Sequence, residues 1–192
     1  MKASLLKVLL AVAFFSSIYG CSSSEEDSGN KPHTSSSSSI GGSYNIVSMT
    51  SNIEVDLNDD GILSTDLLTE IDPAFFNAQT PELEIKPTIV NNQLVPMMSF
   101  YLPLPKLNFT TPGKPHGSIS YIRSGLGYYY EFDNATQTIT LNNNGSNGIY
   151  GNVDNVQVIG KNMLKAMFSK NYYDFATAKW ITLKITCIYK KM

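Results

Sequence analysis

Ile181-Thr182-Leu183-Lys184-Ile185-Thr186-Cys187-Ile188-Tyr189 places Ile181, Leu183, Ile185, Cys187 and Tyr189 on one side, and Thr182, Lys184 and Thr186 on the other. A period of two residues belongs to a β-strand, and one apolar face opposite one polar face describes a half-buried antiparallel strand. The same period recurs upstream. Leu83, Ile85 and Ile89 alternate with Glu82, Glu84, Lys86 and Thr88, and Asn91-Asn92-Gln93 then turns the chain into 94–102 as a hairpin. Further strands are expected at 44–50, 118–123, 128–132, 138–142, 156–159 and 163–170. Gly, Asn and Pro punctuate them at the roughly 8–12-residue spacing of an all-β sandwich or barrel.

Only one stretch, 64–71, reads as a short helix, with Ser64 or Thr65 as its cap and Pro73 beyond it. So little helix excludes parallel βαβ architectures. The expected fold is an all-β, antiparallel up-and-down β-barrel of about eight to nine strands with one short helix, because closure removes the exposed edges of an open sheet. Met97, Met98, Phe100, Leu102 and Leu104 are apolar on both faces, and Pro96, Pro103 and Pro105 assign this run to a sheet edge or rim.

The chain has 192 residues, of which 42% are apolar and 16% charged, so one domain with a sizeable core is expected. With 14 Lys and Arg against 16 Asp and Glu, it lacks the broad positive field that nucleic-acid binding requires. Two His, two Cys and a single Trp argue against an enzyme. His33 falls in a Ser-rich stretch, and His116, between Pro115 and Gly117, has no assignable Ser, Cys or Asp partner. Gly145-Ser146-Asn147-Gly148 suits a hairpin turn better than a phosphate cradle. Tyr128, Tyr130 and Phe132 share one strand face and are assigned to the barrel interior or girdle.

At the N-terminus, Met1, Lys2 and Lys7 precede an apolar run from Val8 to Phe15 that is too short for a permanent span, so residues 1–20 read as a signal peptide. Ser17-Ile18-Tyr19-Gly20-Cys21 resembles the lipobox of bacterial lipoproteins, with Tyr19 in place of the usual small residue. The resemblance implies cleavage before Cys21, lipidation of that residue and a stable membrane anchor without a protein span. Residues 21–39, rich in Ser, read as a flexible tether. Glu25-Glu26-Asp27 resembles the surface-export signal of lipoproteins in the Bacteroidetes, and also fits a plain solvated spacer. With Cys21 acylated, Cys187 is the remaining thiol and is expected to be a buried small hydrophobe.

Residues 40–192 are the folded domain. Gly42-Ser43-Tyr44 at its opening strand, the succession of short strands and the closing Tyr189-Lys190-Lys191 resemble the lipocalin-like lipoproteins of the Bacteroidetes. Tyr44 stands where lipocalins carry the tryptophan that closes the barrel base, and Trp180 lies near the other terminus. The resemblance implies an outer-membrane lipoprotein, at the cell surface or in the periplasm, that binds a small apolar ligand.

One motif carries chemistry of its own. Asp56-Leu57-Asn58-Asp59-Asp60-Gly61 offers oxygens at alternate positions and then a glycine, the arrangement of a calcium loop. Asp56, Asn58 and Asp60, the carbonyl of Ile62, Ser64 and Asp66 are the candidate Ca2+ ligands. Leu67 occupies the position that normally holds a bidentate acid, leaving Asp66 or Glu70 to reach in. The alternative is a polar turn whose side chains bond their own backbone. From Glu54 to Glu84 the chain carries acids and no base, whereas Lys161 to Lys191 carries lysines and one acid, Asp174. Either these segments face each other or the acidic one takes a cation. The second functional reading is therefore a calcium-stabilised structural or adhesive surface module.

Overall fold

The computed structural model describes residues 39–76, 79–106, 109–111, 114–115, 120–142 and 150–192. The signal peptide, Cys21, His33 and the tether up to residue 38 lie outside the described residues, as do His116 and the turn at 145–148.

The strands are β1 (Gly42–Val55), β2 (Ser64–Asp66), β3 (Leu83–Val90), β4 (Gln93–Lys106), β5 (Phe109–Thr111), β6 (Lys114–Pro115), β7 (Ser120–Asp133), β8 (Thr138–Asn142), β9 (Asn152–Gly160), β10 (Met163–Asp174) and β11 (Lys179–Lys191). Their order in the main sheet is β11-β10-β9-β8-β7-β4-β3-β1-β2, and β11 also pairs with β1. All pairings are antiparallel, so eight strands close into an up-and-down barrel, with β2 as an extra strand on β1 and β5–β6 as a separate small ribbon. The expected all-β barrel is the fold observed.

Strand polarity gives the barrel two distinct ends. Its lower end holds the start of β1, the turns at Asn91-Asn92, Asn134–Gln137 and Lys161-Asn162, and the end of β11. Asn91 and Asn92 have φ of 50° and 62°, the left-handed conformation that a two-residue hairpin turn demands. At the upper end β1 leads into the connection that begins at Asp56, β8 ends, β9 begins, and β10 turns into β11.

Alternate residues fill the interior. Phe100 stands near the centre, edge-to-face with Phe168 at 5.4 Å, Tyr189 at 6.2 Å and Tyr128 at 6.4 Å. Tyr130, Phe132, Leu164, Leu183, Ile185 and Cys187 complete a packed core, and the thiol of Cys187 is held well above its usual pKa by burial. The base is closed by Tyr44, which is buried and donates from its hydroxyl to the carbonyl of Ile40 at 2.6 Å. Trp180 instead lies half exposed at the upper end against Tyr173.

Three local expectations are corrected. The helix expected over 64–71 is a single turn, Leu67–Glu70, capped by the Asp66 carboxylate accepting from Leu68 N–H at 3.0 Å. Ser64 and Asp66 are drawn into pairing with β1, opposite Val55 and Thr50, which leaves no room for an earlier start. Strands expected at 118–123 and 128–132 form one strand, β7. Gly125 and Gly127 keep it continuous, because a Cβ at Gly127 would collide with the end of Met97 and one at Gly125 would crowd Tyr101.

The proline-bearing β4 is not an edge, since it pairs with both β3 and β7. Its prolines nonetheless obey the edge rule locally. Pairing with β7 begins at Met97, beyond Pro96, and pairing with β3 ends at Phe100, before Pro103 and Pro105. Each proline therefore sits where β4 has one neighbour, and its missing N–H costs no ladder bond on the free side.

Candidate functional site

Two places gather polar or open chemistry. The first is the acidic loop at the upper end. Asp56 is buried, and its carboxylate accepts from the N–H groups of Asp59 at 2.7 Å and Gly61 at 3.1 Å. Asn58 Oδ1 accepts from Asp60 N–H at 3.1 Å, while its amide donates to Asp60 Oδ2 at 3.0 Å. Asp60 Oδ1 takes the N–H of Ile62 at 2.8 Å. These bonds require left-handed backbone at Asp59, φ 61°, and Gly61, φ 79°. Asp56, Asn58 and Asp60 thus share one loop. Ile62 is exposed, Ser64 Oγ accepts from Asp66 N–H at 2.9 Å, and Asp66 caps the helical turn.

Two further acids close on this loop. Glu70 is buried and accepts from Leu57 N–H at 2.9 Å. Its pKa is raised, first by burial, with the negative charges of Asp60, Asp56 and Asp174 adding to it against the Leu57 bond. Asp174, the last residue of β10, is buried and accepts from Asp56 N–H at 3.0 Å and from Thr177 N–H at 3.1 Å. Tyr121 covers the loop, donating to Leu57 O at 3.0 Å. Asp174 was visible in the sequence only as the lone acid among the C-terminal lysines. Among the described residues, no ion pair reaches Asp56, Glu70 or Asp174, and no group of three or more His, Cys, Asp or Glu is arranged to hold a metal ion.

A separate buried acid, Glu82, accepts from Ile46 N–H at 2.9 Å and faces Arg123 at 3.6 Å. Burial raises its pKa against these two partners. Arg123 stacks over Tyr101 at 5.0 Å and Phe75 at 5.6 Å, and also donates to the carbonyl of Pro81, so it fastens the 71–82 connection to the barrel.

The second place is a gap in the barrel wall. Among the described residues, strands β8 and β9 pair only at Thr138↔Gln157, near the lower end. Between them opens a cavity of about 600 Å³ lined by Tyr128, Ile139, Leu141, Val153 and Val156 together with Thr140, Asn152, Asp154 and Asn155. The Tyr128 hydroxyl reaches across from β7 and accepts from Val153 N–H at 3.1 Å, taking the place of a strand partner. Nothing in the alternation of 138–142 or 156–159 announces this gap, since each segment reads as an ordinary strand. Above it, Lys170 points inward from β10, donates to Tyr150 O at 3.1 Å and lies over the Tyr172 ring at 5.6 Å; burial lowers its pKa to about 8.

No helix among the described residues is long and apolar enough to cross a membrane. Compared with known proteins, the chain matches no family model, no curated protein and no solved structure.

Proposed function

We propose that the protein is a non-enzymatic lipoprotein, anchored through Cys21 to the outer membrane, whose lipocalin-like barrel binds a small, largely apolar ligand. The observation that carries ligand binding is the cavity at the β8–β9 gap. A volume of several hundred Å³ suits a small molecule. Tyr128, Ile139 and Val156 offer it an apolar wall, while Thr140, Asn152, Asp154 and Asn155 make the rest of the lining polar, so a ligand there meets polar groups as well. The packed centre around Phe100 means that the ligand enters from the side of the barrel. Native mass spectrometry of the protein purified from its own host should show a retained small molecule. With the dye 1-anilinonaphthalene-8-sulfonate, binding should saturate at one site and be lost in Val153→Trp, which fills the cavity. Unchanged dye binding in a folded Val153→Trp protein would remove the cavity from consideration.

A second reading, a calcium-stabilised surface module, is favoured by one specific observation. Asp56, Glu70 and Asp174 are buried together beside Asp60 with no ion-paired cation among the described residues, an arrangement that a divalent ion would relieve. Millimolar calcium should raise the melting temperature of the wild type and not that of the Asp56→Ala, Asp60→Ala double variant. A wild-type melting curve unmoved by calcium defeats this reading.

A further inference from the structure

The lower end of the barrel carries an apolar surface that nothing among the described residues covers. Hairpin β3–β4 runs on past the barrel, because β1 pairs with β3 only from Leu83 to Ile85 and β7 reaches β4 only up to Met97. On the projecting ribbon, Ile89 and Leu94 are directly opposite each other and each is 71% exposed. Ile159, before the β9–β10 turn, and Met192, after β11, are further exposed apolar residues at the same end. Cross-strand apolar pairs normally sit against a core. This one is on the same face as the buried Ile85 and Met98 but lies beyond the end of the barrel, where no core meets it.

Charge separates the two ends. Lys86, Lys161 and Lys190 are exposed at the lower end, with Lys86 bridged to Glu84 at 3.0 Å; Glu131 and Asp133 are the exposed acids there. Asp133 accepts from Ala135 N–H at 2.8 Å and the Thr136 hydroxyl at 2.8 Å, which favour its ionised form, so its charge counts against the lysines. The upper end instead presents Asp59, Asp60, Asp66 and Asp72 against Lys179. Exposed apolar residues occur there too, Ile62 and Leu63 among them, but within that acidic field.

The chain enters the barrel at the same end. Ser39, the first described residue, donates to Asn134 Oδ1 at 3.0 Å in the β7–β8 turn, and Ile40 is tucked under Tyr44. Residues 22–38 separate it from Cys21, so even fully extended they hold the lower end within about 60 Å of an acylated Cys21.

We propose that the lower end is a membrane-docking face. Ile89 and Leu94 insert into the interfacial layer of the bilayer that carries the anchor, and Lys161 and Lys190 meet its anionic headgroups. The proposal rests on the lipoprotein reading, since the lipid at Cys21 supplies the affinity and the hairpin sets the orientation. Two lysines attract an anionic surface too weakly to hold the domain there without an anchor.

The test uses the full mature chain, acylated by its host, in phosphatidylethanolamine–phosphatidylglycerol vesicles containing nitroxide-labelled lipid. Bimane is placed at Gln93→Cys, on the hairpin, or at Ala176→Cys, on the exposed β10–β11 turn; the native Cys187 is buried and does not react. Emission at position 93 should shift to the blue and be quenched, while position 176 should stay unquenched. Adding Ile89→Asp and Leu94→Asp should abolish the quenching while the protein still floats with the vesicles. Flotation without quenching at position 93, or equal quenching at both positions, overturns docking and leaves the anchor standing. Failure to float overturns the anchor and docking with it. A blue shift at position 93 without vesicles, accompanied by a doubled mass in solution, assigns the hairpin to a second copy of the chain and overturns docking.

Discussion

The β10–β11 seam and the β8–β9 seam belong to the same barrel and are built oppositely. Along the first, pairing is unbroken from Met163↔Lys190 to Asp174↔Lys179, with Phe168, Tyr172, Leu183, Cys187 and Tyr189 packed behind it. Along the second, a single pair among the described residues, Thr138↔Gln157, joins the strands, and a tyrosine hydroxyl from the next strand substitutes for part of the missing ladder. A barrel closed by hydrogen bonds all round has no edge to offer a ligand. Concentrating the pairing on one side allows the other to open without unfolding the sheet.

The largest effect should follow from weakening the closed side. Phe168 is fully buried and touches Phe100, so Phe168→Ala should cost about 3–5 kcal/mol in urea unfolding. Val153, half-buried on the cavity wall, should cost less than about 1 kcal/mol as Val153→Ala, because the side chain already faces space. Comparable losses at the two positions would mean that the two seams are equally packed.

A pH comparison probes the upper corner, where the open seam meets β10. The ammonium of Lys170 is desolvated, so its folded pKa lies near 8 against 10.5 for the free side chain. Between these values the unfolded chain holds a proton that the folded one has released, so stability rises with pH through this window and the penalty is full below pH 8. The buried Cys187 thiol, with an ordinary value of 9.0, and the phenols of Tyr172 and Tyr189 act in the opposite direction above pH 9. The measurement is therefore the difference between wild type and Lys170→Met. The variant should melt higher at pH 7, and its advantage should shrink toward pH 10. A constant difference across that range would show that the amine is solvated.

The closed side was legible in the sequence and the open side was not. Ile181 to Tyr189 alternates cleanly because β11 has a buried face along its whole length, and pattern reports burial. Strand parity assigns Tyr128 and Tyr130 to the barrel interior or girdle, and they are buried in the interior; Tyr44 at the base follows from the lipocalin resemblance, and it is buried there. Prolines 96, 103 and 105 signalled missing neighbours correctly but not that each neighbour is missing over only half of β4. The gap between β8 and β9 depends on which strands stay paired at long range, and no local period records that. In the acidic loop, spacing identified Asp56, Asn58 and Asp60, yet Glu70 was only one of two acids considered and Asp174 arrives from the far end of the chain. Glu82 alternates with the apolar residues of β3, yet it is buried, accepting from Ile46 N–H and facing Arg123, more than forty residues later, and no local period records those partners.

The smallest expected effect is also the most direct test of the substitution at the open seam. Tyr128→Phe removes one hydroxyl and keeps the ring against Phe100, so packing changes little. The loss is the bond from Val153 N–H, worth about 1 kcal/mol net, and more if water cannot reach the freed amide. Because the cavity adjoins Val153, water should reach it, which keeps the cost near the lower bound. Amide exchange discriminates where stability measurements cannot. In Tyr128→Phe, protection at Val153 should fall while that of Ala166 and Cys187, paired in the closed seam, stays unchanged. If protection falls equally on both sides, the two seams open as one cooperative unit, and the cavity is then a feature of the whole barrel's fluctuation instead of a gap maintained by one tyrosine.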